Sequence, residues 1–597
     1  MVFTLKKIVS GFFFLVFVFH LSQAKVIHVA VDGKKEASGS IHSPMSLAQA
    51  FSSVNRSGDT IMLHGGDYYG NFTCWASGEK GRPLVIMPYN NEVVRIIGEG
   101  GNDMTLSLNG GYCVVRDLII TQTPRKRVSS GNHSWPEDVV SESGVTIVGR
   151  GVRFINNIIH DVYGNGLLSS GSNGFDAEIS GNIIFNTGWI GSENGHGHGM
   201  YLQSNDGSKQ ANNNVVFNTY GHGFQFYTTG GQRLEGMSIS NNIVFNAGVP
   251  ASRNNTGGMR NFMLGGNASI KNLTVRENYT FLPENSPGTG MQVGYNTVNE
   301  SCIVEDNYVA RGNKVFVMYR FNSGSFRNNT IIGNDEELLT SLYFPEGVDH
   351  SDYYKWDENS YYAHQEKFFD ANNNRMLSFE EWQNQLGFDR KGSFKHLSSL
   401  KNYMKVIPNR DETGRAHLVV YNWERKDSVL FDLNLVLNKG DAFQVFDVEN
   451  IFEPVAAGNY NGKGITLPMN LEKVIQPSGE GSYSVSHTGA EFGAFLVISG
   501  KRRTKTREAH YENLSIVKAY PNPTKDFVIV EYLLPKAGMV KARVFDLNGK
   551  LMLSREEKVN FGQNKFLINL SELQLNTYVL SLDDGVSSDS CKVILER

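Results

Sequence analysis

One short pattern recurs along the chain: NIIFN at residues 182–186, NVVFN at 214–218 and NIVFN at 242–246. Related segments elsewhere also begin with asparagine, at Asn157, Asn278, Asn307 and Asn329. The interval between leading asparagines varies from 22 residues (307 to 329) to 36 (242 to 278), as expected for one coil with insertions of variable length. Asparagine tolerates a left-handed turn, and its amide can hydrogen-bond to the same residue in the coils above and below. The repeat therefore predicts parallel strands stacked into a solenoid, with an asparagine ladder at one corner.

Composition limits the possible classes of protein. The chain has 597 residues, of which 40% are hydrophobic, and this length implies several domains. A net charge of −4 gives no electrostatic case for a nucleic-acid partner. Sixty-two glycines together with 11% aromatic residues indicate tight turns in an all-β chain rather than disorder. Four widely separated cysteines show no metal-ligand spacing, and we interpret them as buried single thiols, with one disulfide left open.

A second repeat aligns two strands that carry histidine. HGMYLQ at residues 198–203 matches HGFQFY at 222–227, an offset of 24 residues. Apolar and polar residues alternate in both copies, which is typical of a strand with one buried face. Stacking the glycines of successive coils predicts an outward column, with neighbours about 4.8 Å apart, that contains Leu168, Tyr201, Gln225, Arg260 and Gln292 and lies beside Gln203 and Tyr227. Phe316 and Met318 then predict the end of this polar strip. Any solvent-exposed face is polar, but this strip has Tyr, His, Gln and Arg without Lys, Glu or Ser.

The asparagine repeats resemble the right-handed parallel β-helix of pectate-lyase-like proteins, over about half of the chain. The resemblance implies an architecture and no particular function, because that scaffold hosts lyases, hydrolases, epimerases and adhesins.

The polar strip supplies candidate catalytic residues. In a polysaccharide lyase a base removes the C5 proton of a uronic acid, an acid protonates the leaving oxygen, and a cation or amide neutralises the carboxylate. We predict that Tyr201 with His198 and His222 provides acid and base, and that Arg260 binds the uronate. The predicted substrate-binding residues are Gln203, Gln225, Tyr227, Gln292 and Trp189. With His196, three imidazoles could bind zinc, but the flanking glycines leave their direction open and we assign no metal.

Two other functions remain open. A glycoside hydrolase acting on an acidic or sulfated polysaccharide usually needs two carboxylates, which the strip lacks, although Asp176, Glu178 and Glu193 lie in nearby loops. A non-catalytic surface glycan-binding protein or adhesin would not need clustered His, Tyr and Arg. We favour a secreted lyase with an extracellular, uronic-acid-containing polysaccharide as its partner.

Two insertions, at residues 123–143 and 188–195, are predicted to wall the groove. Their Lys126, Arg127 and Trp135 either contact a charged sugar chain or are solvated. His160-Asp161 suggests a catalytic pair, but Asp161 falls on the repeat position of Asn186, Asn218 and Asn246, which favours a role in forming a turn.

The predicted domains are a signal peptide (1–24), the β-helix (25–340), a capping segment (341–400), a β-sandwich (401–500), a linker (501–513) and a final module (514–597). The apolar run near the amino terminus is too short to span a bilayer, so we expect no membrane span in the mature protein. Six residues of the capping segment match calcium-ligand positions of an EF-hand loop: Asp370, Asn372, Asn374, Met376, Ser378 and Glu381. Arg375 stands where that loop needs glycine, so we favour an end cap built on Trp382 and leave Ca²⁺ as a possible cofactor.

The final module carries YPNP at residues 520–523 and FDLNGK at 545–550. These motifs resemble the C-terminal sorting domain of type IX secretion in Gram-negative bacteria, although Asn576-Thr577-Tyr578 departs from it where a glycine before the tyrosine is usual. The resemblance implies a small Ig-like sandwich, the type IX secretion machinery as a partner, and a secreted protein that is extracellular or held at the cell surface.

Overall fold

The computed structural model describes residues 24–596 except 55–56, 101–103, 172, 206, 229–232, 252–257, 334–337, 346–352, 366–368, 372–374, 505–513, 535–537 and 560–561. The proposed signal sequence before residue 24 and most of the proposed linker therefore lie outside the described residues. The chain divides into two compact units, Met1–Arg503 and Thr504–Arg597. None of the helices that the structure describes has the length and apolar character needed to span a bilayer.

Three twelve-stranded sheets, here named A, B and C, build the first unit. Successive chain segments enter A, then B, then C, and neighbouring strands pair in parallel. Sheet A contains Val26–Lys34, Thr60–Leu63, Leu84–Pro88, Cys113–Arg116, Arg153–Ile155, Glu178–Ser180, Lys209–Asn212, Met237–Ser240, Leu273–Arg276, Asn299–Glu305, Phe321–Arg327 and Tyr354–Asp357. Sheet B contains Gly66–Tyr69, Val94–Gly98, Ile119–Gln122, Ile158–Val162, Ile183–Thr187, Val215–Phe217, Ile243–Phe245, Tyr279–Phe281, Tyr308–Ala310, Thr330–Ile332, Ser360–Ala363 and Ser393–His396. Sheet C contains Phe72–Cys74, Leu106–Leu108, Val145–Ile147, Leu167–Ser169, Met200–Leu202, Phe224–Phe226, Arg260–Leu264, Thr289–Val293, Lys314–Tyr319, Leu338–Tyr343, Phe369–Ala371 and the antiparallel Arg375–Leu377. The fold is the predicted parallel β-helix.

The asparagine ladder is confirmed. The amide Nδ2 of Asn182 donates to Oδ1 of Asn214 at 3.0 Å, and that of Asn214 donates to Oδ1 of Asn242 at 2.9 Å. Each Oδ1 also accepts the backbone N–H of the preceding asparagine in the ladder, as Asn214 does from Asn182 at 3.0 Å. The ladder continues in the same way through Asn157, Asn278, Asn307, Asn329, Asn359 and finally Asp389. All these side chains are buried, so the ladder satisfies backbone donors that the turn between sheets A and B leaves unpaired.

The solenoid extends beyond the predicted boundary at residue 340. Three further strands, Tyr354–Asp357, Ser360–Ala363 and Phe369–Ala371, add a coil in the region predicted as a cap. The helix Phe379–Leu386 then covers the open end. Trp382 is fully buried there and donates its indole N–H to Asp389 at 3.1 Å. At the other end the helix Leu47–Ser53 buries Phe51 against Phe72.

The β-sandwich belongs to the same compact unit and covers the outer face of sheet B. Its larger sheet contains, in spatial order, Tyr403–Pro408, Glu412–Tyr421, Phe492–Thr504, Ala442–Asp447 and Pro454–Asn459, and its smaller sheet Ser428–Phe431 and Ile465–Pro468. Phe492 stacks on Phe281 at 4.8 Å between ring centroids, and Tyr421 contacts Tyr308 at 4.2 Å. Arg116 and Arg153 of sheet A form ion pairs with Glu412 (2.7 Å) and Asp411 (2.5 Å) of the sandwich. This cover explains why the sheet B strands are apolar on both faces.

The second unit is a separate β-sandwich. One sheet contains Ser515–Tyr520, Phe527–Leu534 and Gly562–Asn569, and the other contains Leu551–Val559, Gly538–Phe545, Asn576–Asp583 and Ser588–Leu595. Their inner faces meet in an apolar core that includes Val530, Val544, Phe566 and Leu580.

Candidate active site on the outer face of sheet C

The alternation predicted for the two histidine strands is confirmed. Met200, Leu202, Phe224 and Phe226 are fully buried in the solenoid core. The residues between them lie on the outer face of sheet C and form a column, which we call the centre column. It runs through Leu168, Tyr201, Gln225, Met263, Gln292 and Val317, each in register with the next. Gly199 and Gly223 precede these strands because a Cβ there would lie 2.2 and 2.5 Å from Val216 and Val244 of sheet B. The glycines therefore mark the tight corner between sheets B and C.

The predicted place of Arg260 in the centre column is wrong. The strand register puts Met263 between Gln225 and Gln292, because Asn261 takes the corner position that glycine occupies in the neighbouring coils. Phe316 and Met318 face inward, so they do not end the polar strip as predicted. Arg260 instead falls in a second column, here called the histidine column, with His198, His222, Thr289 and Lys314.

Backbone hydrogen bonds fix the two histidines. Nδ1 of His198 accepts the backbone N–H of His222 at 2.9 Å, and Nδ1 of His222 accepts that of Arg260 at 3.0 Å. Their rings stack with centroids 5.2 Å apart and planes 9° apart. Because a backbone N–H can only donate, Nδ1 must be unprotonated, and the neutral ring carries its proton on Nε2. Burial lowers the pKa of His198 to about 3 and places the pKa of His222 well below its usual value, with a smaller effect from Arg260 on the latter. Both rings are therefore neutral hydrogen-bond donors across the ordinary pH range.

Tyr201 lies beside this column. Its ring packs edge-on against His198, with centroids 5.7 Å apart. Its hydroxyl accepts a hydrogen bond from Nε2 of Gln203 at 3.3 Å. Burial raises the pKa of Tyr201 above its ordinary value. Gln203 also donates to the carbonyl of Tyr227 at 2.9 Å and accepts the N–H of Gly171 at 2.6 Å, so its amide is fixed beside the Tyr201 hydroxyl.

The other predicted binding residues differ in exposure. Gln225 is 8% exposed, and its buried Oε1 has no hydrogen-bond partner within the described part of the chain. Gln292 is 2% exposed; its Oε1 accepts from Nε of Arg260 at 2.6 Å and its Nε2 donates to the carbonyl of Gly294 at 3.0 Å. Tyr227 is partly exposed and packs edge-on against Tyr295. Arg260 and Gln292 are thus in contact although they occupy different columns.

The two insertions join beside the histidine column. A parallel bridge links Val128 to Ile190, and Asn132 accepts hydrogen bonds from the loop backbone at Glu193 (3.3 Å) and Asn194 (3.0 Å). The predicted binding role of Trp189 is wrong, because this side chain is 1% exposed and stacks on His196 at 4.2 Å.

Arg127, which the sequence left open, is fully buried and structural. It donates to the carbonyls of Asn186, Gly188 and Ser478 and pairs with Asp161. Asp161 has φ of 50°, as expected for the predicted turn. Lys126 pairs with Asp138 at 3.2 Å, whereas Trp135 is 74% exposed.

The carboxylates of the hydrolase alternative are engaged elsewhere. Glu178 lies on sheet A and pairs with Arg153 at 2.9 Å, and Asp176 pairs with Arg150 at 2.7 Å. Glu193 accepts a hydrogen bond from Asn132 at 3.2 Å. Along the described centre and histidine columns from Leu168 to Val317 there is no carboxylate.

The residues predicted as calcium ligands do not all lie within the described part of the chain, and two of them have another role. Asn372 and Asn374 lie outside the described residues. Ser378 and Glu381 form the capping box of the helix Phe379–Leu386, with hydrogen bonds of 3.1 and 2.8 Å. Within the described part of the chain, no three His, Cys, Asp or Glu side chains are grouped so as to hold a metal ion. All four cysteines are free.

Sheet C also carries a group of residues that were not predicted from the sequence. Tyr319 and Tyr343 stack with centroids 4.3 Å apart and planes 3° apart, and Nζ of Lys314 donates to the hydroxyl of Tyr343 at 3.5 Å. The runs KVFVMY and LLTSLY show no clear apolar–polar alternation, so only the strand register with the neighbouring coils places these tyrosines in line with Tyr227.

Comparison with known proteins identifies one region in sequence. Residues 518–596 match the family model of the secretion system C-terminal sorting domain. No curated protein sequence matches the chain.

Similar solved structures include pectate lyase Pel9A (16% identity, covering 55% of this chain and 79% of that chain, TM-score 0.31). The structure of XylC in complex with xylose is 12% identical in sequence, and the match covers 79% of this chain and 100% of that chain with a TM-score of 0.37. An alginate lyase from Paenibacillus sp. strain FPU-7 is 13% identical in sequence, and the match covers 58% of this chain and 96% of that chain with a TM-score of 0.31. Identities and TM-scores this low assign no activity. The chain combines a parallel β-helix with a secretion system C-terminal sorting domain, which indicates a secreted or cell-surface protein.

Proposed function

We propose that the protein is an exported polysaccharide lyase that cleaves a uronic-acid-containing glycan by β-elimination. The observation that carries the proposal is the stacked column of His198, His222 and Arg260 beside Tyr201. It combines neutral donors and a cation with a phenol, and the described strip between Leu168 and Val317 has no carboxylate pair. That set of groups suits elimination at a uronate better than hydrolysis.

Stabilising the carboxylate is the first task in this chemistry. Removing the C5 proton places negative charge on the uronate, and donors aimed at its carboxylate lower the barrier. The Nε2–H groups of His198 and His222 and the guanidinium of Arg260 provide such donors from adjacent coils. Burial lowers the pKa of Arg260, which nonetheless remains a cation at neutral pH.

The backbone constraint on the histidines changes the predicted division of roles. With Nδ1 bonded to a backbone N–H, the Nε2 proton can be donated, but Nε2 cannot accept another proton. Turning a ring to make it a base would leave a backbone N–H unpaired, at a cost of ~1–3 kcal/mol. We therefore assign the proton transfer to Tyr201. As phenolate it takes the C5 proton, the C4–O bond breaks as the C4–C5 double bond forms, and the phenol returns the proton to the leaving oxygen.

Export is the cellular part of the proposal. The sorting domain would direct the chain through the type IX secretion machinery, and the glycan would be met outside the cell or at its surface. We propose that the sorting module is removed after export and that residues 1–24 are a signal peptide.

Product absorbance tests the reaction type. Purified protein is incubated with pectate, alginate and other uronate-containing polysaccharides, and depolymerisation is followed together with ultraviolet absorbance. A lyase leaves an unsaturated ring that absorbs, whereas a hydrolase does not. Tyr201→Phe is expected to reduce the rate ~10²–10⁴-fold, whereas the exposed Tyr69→Phe on sheet B is a matched control without effect. Cleavage without absorbance would reject the lyase, and full activity of Tyr201→Phe would reject the site.

A further inference from the structure

Two cations share the histidine column at a regular spacing. Arg260 pairs in register with Thr289, and Thr289 with Lys314, so two strand steps separate the cations, or ~9.6 Å. Both side chains are partly exposed. Among the described residues their side-chain hydrogen bonds go to neutral partners, Gln292 and Tyr343.

Several arginines of sheet A, by contrast, pair with carboxylates of neighbouring coils. There Arg153 pairs with Glu178 at 2.9 Å, Arg276 with Glu305 at 3.0 Å and Arg327 with Glu358 at 2.7 Å. These three pairs neutralise arginines of one coil with carboxylates of another. Arg260 and Lys314 are left with neutral contacts, namely Gln292 and Tyr343.

Tyrosine rings accompany the second cation. Tyr343 anchors Lys314 through its hydroxyl and carries the stacked, partly exposed ring of Tyr319. Gly265 and Gly294 precede Tyr319 on the same side of the strip, because a Cβ at either would lie within 2.5 Å of the next coil's backbone. The column from Tyr227 to Tyr319 therefore carries no side chain at these two positions, and the neighbouring Tyr295 ring packs against Tyr227.

We propose that Arg260 and Lys314 are paired subsites for acidic groups of one glycan chain lying along the solenoid axis, with Tyr319 as a surface on which a sugar ring stacks. This inference rests on the proposed function and narrows the substrate to a polyuronate long enough to span both cations. Two strand steps match about two sugar units of an extended chain, so alternate uronates would meet Arg260 and Lys314. Aromatic rings beside cations suit a sugar that carries a carboxylate, since the ring contacts the apolar sugar face while the cation binds the acid.

The strip also limits the length of this site. In the two coils after Lys314, the centre column continues with Ser341 and Asp370. Burial, with a smaller effect from the Asp370 carboxylate, raises the pKa of Tyr343. A polyanionic chain is therefore expected to extend from Tyr201 to Lys314 and no further.

Affinity as a function of chain length tests the proposal. Oligouronates from disaccharide to octasaccharide, prepared from pectate and from alginate, are titrated into full-length Tyr201→Phe protein, in which cleavage is expected to be ~10²–10⁴-fold slower. Lys314→Met in that background is expected to weaken octasaccharide binding about tenfold, the loss of roughly one ion pair, and to leave the disaccharide unaffected. Lys355→Met removes an equal charge from an exposed position on sheet A and is expected to change nothing. A carboxyl-reduced, uncharged octasaccharide should not distinguish Lys314→Met from its parent.

The outcomes separate this proposal from the lyase assignment. Equal octasaccharide affinity with and without Lys314, or equal weakening at every length, overturns the second subsite even if products absorb in the ultraviolet. A length-dependent loss supports the subsite even if the cleaved product proves saturated and the lyase assignment fails. Unchanged thermal midpoints of the variants would confirm that the comparison concerns binding and not folding.

Discussion

Replacing Asn214 by alanine tests the physical basis of the fold. Its Oδ1 accepts two hydrogen bonds from Asn182, one from the backbone N–H and one from the amide, both at 3.0 Å. Its Nδ2 donates to the carbonyl of Ile179 at 3.0 Å and to Asn242 at 2.9 Å. The side chain is fully buried, so water cannot replace these partners.

The magnitude follows from which groups lose their partners. Alanine leaves the buried N–H of Asn182 unsatisfied, which costs ~1–3 kcal/mol, and removes three further hydrogen bonds worth ~0.5–1.5 kcal/mol each. Because such terms are not additive, we expect the free energy of unfolding to fall by about 3–5 kcal/mol. Asn296→Ala is the control, since Asn296 is exposed and its amide bonds to the exposed Asn267, and we expect less than ~0.5 kcal/mol.

Tryptophan fluorescence during denaturant unfolding is the assay, because all six tryptophans lie before residue 504 and report on the first unit alone. A loss below ~1 kcal/mol for Asn214→Ala would show that the ladder follows from the fold without stabilising it. A loss equal to that of Asn296→Ala would contradict the hydrogen-bond argument directly.

Three further predictions concern charge and export. The value of kcat/KM should rise with pH toward the raised pKa of Tyr201. It should show no inflection near pH 6.5, since the pKa of His198 is lowered to about 3. An inflection near pH 6.5 would indicate that a histidine is the base. Burial lowers the pKa of Lys209 to about 7. Between pH 7 and the unfolded-state pKa of ~10.4, the unfolded chain therefore binds more protons than the folded protein. The free energy of unfolding should rise with pH across that window by up to ~4 kcal/mol. Lys209→Met should remove that rise, as measured by denaturant unfolding at pH 7 and 10. Deleting Ser515 to Arg597 should leave the protein in the periplasm, and its undiminished appearance outside cells would contradict the export assignment.

The architecture was predictable because its signals are local and repeated. Asparagine at each turn between sheets A and B and the alternation in HGMYLQ depend on hydrogen bonding and burial within neighbouring coils, and both were correctly placed. The position of Arg260 was not predictable in the same way. Glycine normally fills the corner before a sheet C strand, but Asn261 fills it in that coil, so aligning glycines shifted the strand. The prediction for Trp189 was wrong for a different reason. Its loop folds back so that the ring packs on His196, and no sequence spacing indicates this contact.

The sandwich decides which face of the solenoid remains for a substrate. Sheet B strands such as Ile183–Thr187 are apolar on both faces. Ile184 points into the core of the solenoid, whereas Phe185 packs in the core between sheet B and the sandwich. On sheet A, three arginines (Arg153, Arg276 and Arg327) pair with carboxylates of neighbouring coils. Sheet C is left with histidine N–H groups, tyrosines and two cations without acidic partners among the described residues. Because unpaired cations beside partly exposed aromatic rings favour an anionic sugar over a neutral one, the distribution of charge among the three sheets supports sheet C as the glycan-binding face more strongly than any one residue does.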